Sequence, residues 1–253
     1  IIFFRILSLW LGLLFVLIYL LIFPSHLIFL QFKTTWAYDV SHRLNMFWGW
    51  TILTFSGIFL RPIGRKKINR KQPYIFAPNH TSFLDIPICN VSIQNSFRFI
   101  GKAELNTVPL LGYMFKRLHI PVNRGSRTDS YRSFVSATEK LREGRSILVF
   151  PEGTIPDKKK VTLLRFKDGA FRMAIENKTP IVPVTILKAD RAMEDDGKWL
   201  VRPTVVTVIF HDPIETSDME MDDMGELKRR VYELIYETLK ENGGLRGKDA
   251  EEA

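Results

Sequence analysis

The sequence predicts an α/β fold: a mixed, largely parallel sheet flanked by helices, preceded by a hydrophobic helical segment. Three observations lead there. From Gln72 onward, short apolar runs of strand length alternate with helical patterns. Two of those runs end in tight polar turns, as parallel strands do where their loops carry the working residues. The first sixty residues hold two long apolar stretches with no counterpart later in the chain.

The first stretch, Ile1 to Phe23, is apolar except at Arg5 and Ser8. That is enough for the roughly 20 residues that cross a bilayer. A signal peptide has an apolar core of only about 7–15 residues and ends at small residues. Here the run passes into Phe23-Pro24-Ser25-His26, so it reads as a retained anchor. The second stretch, Leu44 to Leu60, carries Phe47, Trp48, Trp50, Phe55 and Phe59, aromatics suited to a membrane interface. Arg61, Arg65, Lys66, Lys67, Arg70 and Lys71 follow, which places the next domain on the cytoplasmic face against anionic lipid. The expected division is 1–60 for membrane-anchoring helices, 61–242 for the folded domain and 243–253 for a polar, flexible tail.

Within the domain, Tyr74–Ala77, Phe97–Ile100, Ile147–Phe150, Ile181–Ile186 and Val205–Phe210 read as strands. Ser130–Leu141 reads as a helix capped by Asp129, with Phe134, Val135, Thr138 and Leu141 on one face and Gly144 past its end. Ala170–Asn177 reads as another. The last, Met224–Glu241, has Asp222 and Asp223 at its positive end and turns Leu227, Val231, Leu234 and Ile235 inward.

Length and composition, 253 residues with 46% hydrophobic, suffice for one large core. A formal charge of +9 and a pI near 9.6 favour an anionic partner: lipid head groups, an acidic acyl carrier or nucleic acid. The single cysteine, Cys89, excludes a disulfide framework and fits a reducing compartment.

The run Asn79-His80-Thr81-Ser82-Phe83-Leu84-Asp85 carries the chemistry. A histidine near neutral pKa can take a proton from an alcohol, and an aspartate can hold its ring in one tautomer. On one continuous helix, five positions turn about 500° and keep the two apart. The pair works only if His80 lies in the turn and Asp85 opens the next helix, a start that Pro87 fits. Asp85 as a plain N-cap, or in a Ser82-x-x-Asp85 capping box, is the structural alternative. The second segment, Phe150-Pro151-Glu152-Gly153-Thr154, also follows a short apolar run; taken alone, Pro-Glu-Gly is an ordinary turn.

Together these segments resemble blocks I and III of the glycerolipid acyltransferase family, of the 1-acylglycerol-3-phosphate acyltransferase type. His119-Ile120-Pro121-Val122-Asn123-Arg124-Gly125 resembles block II, and Ile181-Val182-Pro183-Val184-Thr185-Ile186 resembles block IV. The likeness runs from about Gln72 to Ile214. It implies that His80 and Asp85 are catalytic and that no covalent acyl-enzyme, cofactor or metal is needed. The acyl group would pass from an acyl carrier protein or coenzyme A thioester to the hydroxyl of 1-acylglycerol-3-phosphate, giving phosphatidic acid. Glu152, Gly153 and Thr154 would bind substrate, as would Arg124, Lys102 in Gly101-Lys102-Ala103-Glu104-Leu105, and Lys167 in Phe166-Lys167-Asp168-Gly169-Ala170. Relatives of this kind use a two-helix anchor lying in one leaflet; from the residues alone, a spanning first helix is equally open. Implied partners are membrane lipids, the lysophospholipid acceptor and the acyl donor. The implied location is the cytoplasmic face of a membrane, the inner one in a bacterium.

One position departs from the family. Block III normally continues with Arg after Thr; here Ile155 is followed by Pro156-Asp157-Lys158-Lys159-Lys160. The alternative acceptor is therefore another lysolipid, such as an amino-acid-headed one.

Other classes fit poorly. A serine hydrolase using Ser82 lacks a Gly-x-Ser-x-Gly elbow. There is no His-Glu-x-x-His or paired-cysteine metal set, and no Gly-x-x-x-x-Gly-Lys phosphate loop. In a nucleic-acid binder, aromatics would be interleaved with basic residues; instead four of the five tryptophans, Trp10, Trp36, Trp48 and Trp50, lie in or beside the apolar runs. No nucleic-acid partner is expected. His26, His42, His119 and His211 read as surface or packing residues.

Overall fold

The computed structural model of the protein describes residues 2–123, 125–157 and 160–251. The first apolar stretch forms α1 (Ile2–Phe29), whose buried residues Leu14, Tyr19, Ile22 and His26 share the face turned to the protein. Ile2, Phe3, Ile6, Leu9, Leu13, Leu17 and Leu20 are exposed. α2 (Thr35–Phe55) packs between α1 and the domain. Trp48 Nε1 donates to the Phe15 carbonyl at 3.2 Å, and the two rings meet edge to face. The second apolar run is thus not helical to its end. Gly57, at φ +74°, turns the chain, and β1 (Ile58–Ile63) begins inside the expected anchor segment.

The rest follows as β2 (Ile75–Pro78), α3 (Asp85–Ser92), β3 (Phe97–Lys102), α4 (Leu111–Leu118), β4 (Ile120–Val122), α5 (Arg127–Arg142) and β5 (Ser146–Leu148). Then come α6 (Gly169–Glu176), β6 (Ile181–Leu187), α7 (Ala189–Ala192), β7 (Thr204–Phe210), α8 (Met224–Glu241) and α9 (Lys248–Glu251). Among the described residues seven strands form one sheet in the order β1-β7-β6-β2-β5-β3-β4. Every neighbouring pair is parallel except β6 with β7. The α/β class and the mixed, largely parallel sheet are as the sequence predicts.

Strand alternation divides the core. In β2, Ile75 and Ala77 face a core shared with α5, α6 and α8, while Phe76 faces one shared with α1, α2, α3 and α4. β6 repeats this, with Ile181 and Leu187 on the first side and Val182, Val184 and Ile186 on the second. Both strands are buried throughout, which fixes their register, since a one-residue slip would exchange the two sets. Burying each of the valine, leucine, isoleucine and phenylalanine side chains among these contributes about 1.5–3 kcal/mol.

Polar bonds tie α2 to the sheet. The buried Arg145 donates to Asp39 Oδ1 (2.5 Å), the Thr35 carbonyl (2.9 Å) and Ser96 Oγ (3.0 Å). The Arg98 guanidinium lies 3.9 Å from the Tyr38 ring centre. The N-terminal helices are therefore part of the domain's own packing.

Two local expectations are corrected. α5 starts at Arg127, and its cap is Ser126, whose Oγ accepts from Asp129 N–H at 3.2 Å; Asp129 sits in the first turn. The stretch expected as a flexible tail is docked as far as Asp249. Asp249 accepts from Thr162 N–H (2.7 Å), Lys248 N–H donates to the Lys160 carbonyl (3.3 Å), and Arg246 pairs with Asp190. Its polar residues find partners on the loop after residue 155 and on α7, which composition cannot reveal. The four remaining histidines are packing residues: His26, His42 and His119 are buried, and His211 bonds Thr185 Oγ1 at 2.8 Å.

Candidate active site

β2 ends at Pro78 and the chain turns before α3 opens at Asp85. The turn is clamped from below by Asn79. Its amide donates to the Ile186 carbonyl (3.1 Å) and accepts from the Ile186 N–H (2.7 Å), stapling block I to β6.

Within the turn the imidazole of His80 meets the carboxylate of Asp85, with Nδ1 2.8 Å from Oδ2. Asp85 is fully buried, and the same Oδ2 accepts from the N–H groups of Thr81 (2.5 Å) and Ser82 (2.8 Å). With two main-chain N–H groups already donating to it, this oxygen is an acceptor toward the ring as well. The proton therefore sits on His80 Nδ1, leaving Nε2 as the basic nitrogen. Asp85 also accepts from Ser82 N–H just before α3, so one side chain holds both the turn and the His80 ring. The His80 ring stacks on Phe150 with centroids 4.0 Å apart and planes 15° apart.

Phe150 leads into block III. Gly153 sits at φ +76°, and a Cβ there would lie 2.7 Å from Lys167 Nζ. The left-handed backbone favours glycine here, and the Lys167 side chain lies across it. Glu152 is 2% exposed, and its two oxygens accept from the N–H groups of His80 (2.7 Å) and Leu164 (2.8 Å). Burial pushes its carboxyl up to about 8, against the pull of those two N–H groups.

The structure brings together His80, Asp85 and Glu152 by direct bonds, and Gly153 with Lys167 by contact. Glu152 reaches the site as a brace for the His80 backbone, with both oxygens committed to main chain. Thr154 is exposed one residue on, and Lys102 is exposed at the end of β3. Arg124, Lys158 and Lys159 lie outside the described residues. Sequence reasoning missed Asn79 and Phe150 as working parts, although both sit inside the two motifs it singled out. Ser82 is no free nucleophile: it is buried, and its Oγ donates to the Met193 carbonyl (2.7 Å) and accepts from Leu84 N–H (3.2 Å).

Two cavities of about 180 Å³ each flank the crest on opposite faces of the sheet. One, on the side of α1 and α2, is apolar, with Phe15, Trp48, Phe83, Phe99, Leu111 and Met114 in its wall. The other lies against α5 and α6 and includes Ser130, Ser133, Gly153 and Lys167.

The turn thus pairs an imidazole with a buried carboxylate, and its Phe83 lines the apolar cavity. The family model for acyltransferases matches residues 60–187, and the chain belongs to the acyltransferase family. It is 30% identical over 189 residues to the 1-acyl-sn-glycerol-3-phosphate acyltransferase of Saccharomyces cerevisiae, covering 74% of this chain and 62% of that protein. It is 33% identical over 151 residues to the Chlamydomonas reinhardtii protein of that name, covering 59% and 45%. The chain thus spans less than two thirds of the length of these relatives. The crystal structure of the 1-acyl-sn-glycerophosphate acyltransferase PlsC from Thermotoga maritima superposes with a TM-score of 0.76 at 24% identity, covering 95% of this chain and 98% of that one, which shows the shared fold.

Proposed function

We propose that the protein is a membrane-bound O-acyltransferase that transfers a fatty acyl group from an acyl carrier protein or coenzyme A thioester to the free hydroxyl of a lysophosphatidic acid. The observation that carries this is the His80 Nδ1–Asp85 Oδ2 bond of 2.8 Å, in a turn whose Phe83 lines an apolar cavity. The named activity of the relatives agrees with it.

In this reading Nε2 of His80 takes the proton of the lysolipid hydroxyl as its oxygen attacks the thioester carbonyl. The tetrahedral oxyanion collapses, the C–S bond breaks, and the imidazolium returns its proton to the thiolate. Asp85 stabilises the imidazolium and holds its tautomer. No enzyme nucleophile enters, consistent with the tethered Ser82. Glu152 fixes the His80 main chain. Lys102, Lys167 and Arg124 are the proposed cations for the acceptor phosphate, with Thr154 and Gly153 alongside, and the apolar cavity takes the acyl chain.

Among the described residues α1 is the one helix long and apolar enough to cross a bilayer. We favour the flat arrangement. Along about 22 Å of α1, from Ser8 to Phe23, contacts to the rest of the protein recur: Ser8 Oγ with Val201 N–H, the Phe15 carbonyl with Trp48, Tyr19 OH with the Leu110 carbonyl, and the Phe23 ring with Tyr113. A helix held along its length on the protein offers lipid one face, the exposed apolar one. That face would dip into a single leaflet and bring the dyad to the cytoplasmic surface, with the basic Arg61–Lys71 cluster against anionic head groups.

Purified protein given a panel of lysolipids with both thioesters, followed by product mass spectrometry, tests the reading. Phosphatidic acid as the main product is expected. A product from an amino-acid-headed lysolipid alone would instead make Ile155, where relatives carry Arg, the mark of a different head-group pocket.

A further inference from the structure

The loop between α7 and β7 places a bulky side chain where backbone strain opposes it. Trp199 sits at φ +53°, a left-handed conformation uncommon for bulky residues, and is 57% exposed. Its ring is not idle: it stacks on Phe83 with centroids 5.0 Å apart and planes 18° apart. Phe83 lies between His80 and Asp85 in the chain. It is 44% exposed and also lines the apolar cavity, so it stands at that cavity's mouth.

The loop is pinned where it would have to be in order to hold the pair in register. Its base is closed by the antiparallel bridge Met193–Val201. One end is bonded to the dyad turn, through Ser82 Oγ to the Met193 carbonyl at 2.7 Å. The other is bonded to α1, through Val201 N–H to Ser8 Oγ at 2.8 Å. Both attachments join elements around the mouth: the turn that carries His80, and the helix whose Phe15 lines the far wall. Gly197, at φ +75°, lets the tip reverse between them.

We propose that the stacked Phe83–Trp199 pair is an aromatic clamp over the cavity mouth, which binds the acyl chain of the donor beside His80. Trp199 is then a substrate-binding residue supplied from outside the four sequence blocks. The two rings cover methylenes that would otherwise meet water, so the clamp lowers the donor's KM and leaves the proton transfer at His80 unchanged. The inference rests on the acyl-transfer reading.

The test compares the full-length wild type with Trp199→Asn and Trp199→Phe. Asparagine tolerates the left-handed backbone, so its variant removes the ring without adding strain; phenylalanine keeps an aromatic face. With a palmitoyl thioester, Trp199→Asn is expected to raise KM about three- to tenfold, the scale of an aromatic contact, with kcat within about twofold. Trp199→Phe should stay within about twofold of wild type in both. A second readout needs no turnover: a brominated 16-carbon fatty acid should quench tryptophan emission in the wild type, and the quenched fraction should drop in Trp199→Phe. A fall in kcat at unchanged KM for Trp199→Asn would overturn the clamp, because the pair would then only prop the 79–85 turn. Unchanged KM and kcat would overturn it too. If the wild type acylates no lysolipid at all yet shows the tryptophan-specific quench, the transfer reading fails and the chain-binding clamp stands.

Discussion

Replacing Asp85 with asparagine, and separately with alanine, separates what its charge does from what its hydrogen bonds do. Oδ2 accepts all three short bonds, from His80 Nδ1 (2.8 Å), Thr81 N–H (2.5 Å) and Ser82 N–H (2.8 Å). Among the described residues Oδ1 has only Thr81 Oγ1, at 3.4 Å. An asparagine can therefore put its oxygen where Oδ2 was and aim its amide at Thr81 Oγ1. The tautomer of His80 survives and only the charge is lost. A carboxylate about 4 Å from the imidazolium's centre is worth about 4 kcal/mol at an effective dielectric of 20, and burial of the anion offsets part of that. A net loss of about 3 kcal/mol corresponds to roughly a hundredfold lower kcat for Asp85→Asn. Asp85→Ala frees the imidazole as well and leaves two buried N–H groups without an acceptor. It should lose about 10³- to 10⁴-fold in kcat and about 2–5 kcal/mol of stability. The assay is phosphatidic acid formation at saturating substrates, with thermal unfolding run in parallel. If Asp85→Asn is as inactive as Asp85→Ala while equally well folded, the tautomer argument is wrong. If either keeps near-normal turnover, Asp85 is no more than a helix cap.

Ser82→Ala should retain at least about a third of wild-type kcat and lose about 1–2 kcal/mol of stability through its bonds to Met193 and Leu84; an acyl adduct on Ser82 in intact-protein mass spectra would overturn the direct-transfer chemistry. Glu152 is raised from 4.5 to about 8, so the folded state holds its proton longer than the unfolded chain does. Its contribution is full below pH 4.5 and is lost as pH rises through 8, so the Tm of Glu152→Gln should gain on that of wild type by about 5–10 °C across that window; a constant difference would contradict the shift. His211 is lowered from 6.5 to about 4 by burial and Lys67, so its contribution is present above pH 6.5 and lost as pH falls toward 4; His211→Gln should flatten the acid side of a Tm profile, and an unchanged slope would refute this. On the outer face of α1, Leu9→Asp, Leu13→Asp and Leu20→Asp together should cut binding to anionic vesicles at least about tenfold with the fold intact, whereas full retention at high salt would place the membrane contact elsewhere.

What the residues disclosed depended on range. The strands at β2, β6 and β7 and the helix α8 were legible because alternation and 3.6-residue periodicity are local signals, and the pairing of His80 with Asp85 was legible because both fall within one turn. β1 was hidden, since Ile58–Ile63 continues an apolar run and only the left-handed Gly57 separates strand from helix. The role of Glu152 was hidden for a different reason. Its partner, the His80 N–H, is 72 residues away, and nothing in Pro-Glu-Gly states that the carboxylate turns inward. The same holds for the docked tail, where Asp249 finds Thr162 across 87 residues, and for Trp199, whose stacking partner belongs to another loop. Long-range polar pairing has no periodicity to read.

The central claim is that His80 is the base in direct acyl transfer to a lysolipid hydroxyl. The most direct test is the rate of phosphatidic acid formation by His80→Ala, measured by mass spectrometry from a palmitoyl thioester and lysophosphatidic acid, beside circular dichroism of the same sample. The account predicts a rate lower by about 10³-fold or more with an unchanged spectrum. A well-folded His80→Ala protein that still forms phosphatidic acid within tenfold of wild type would contradict it.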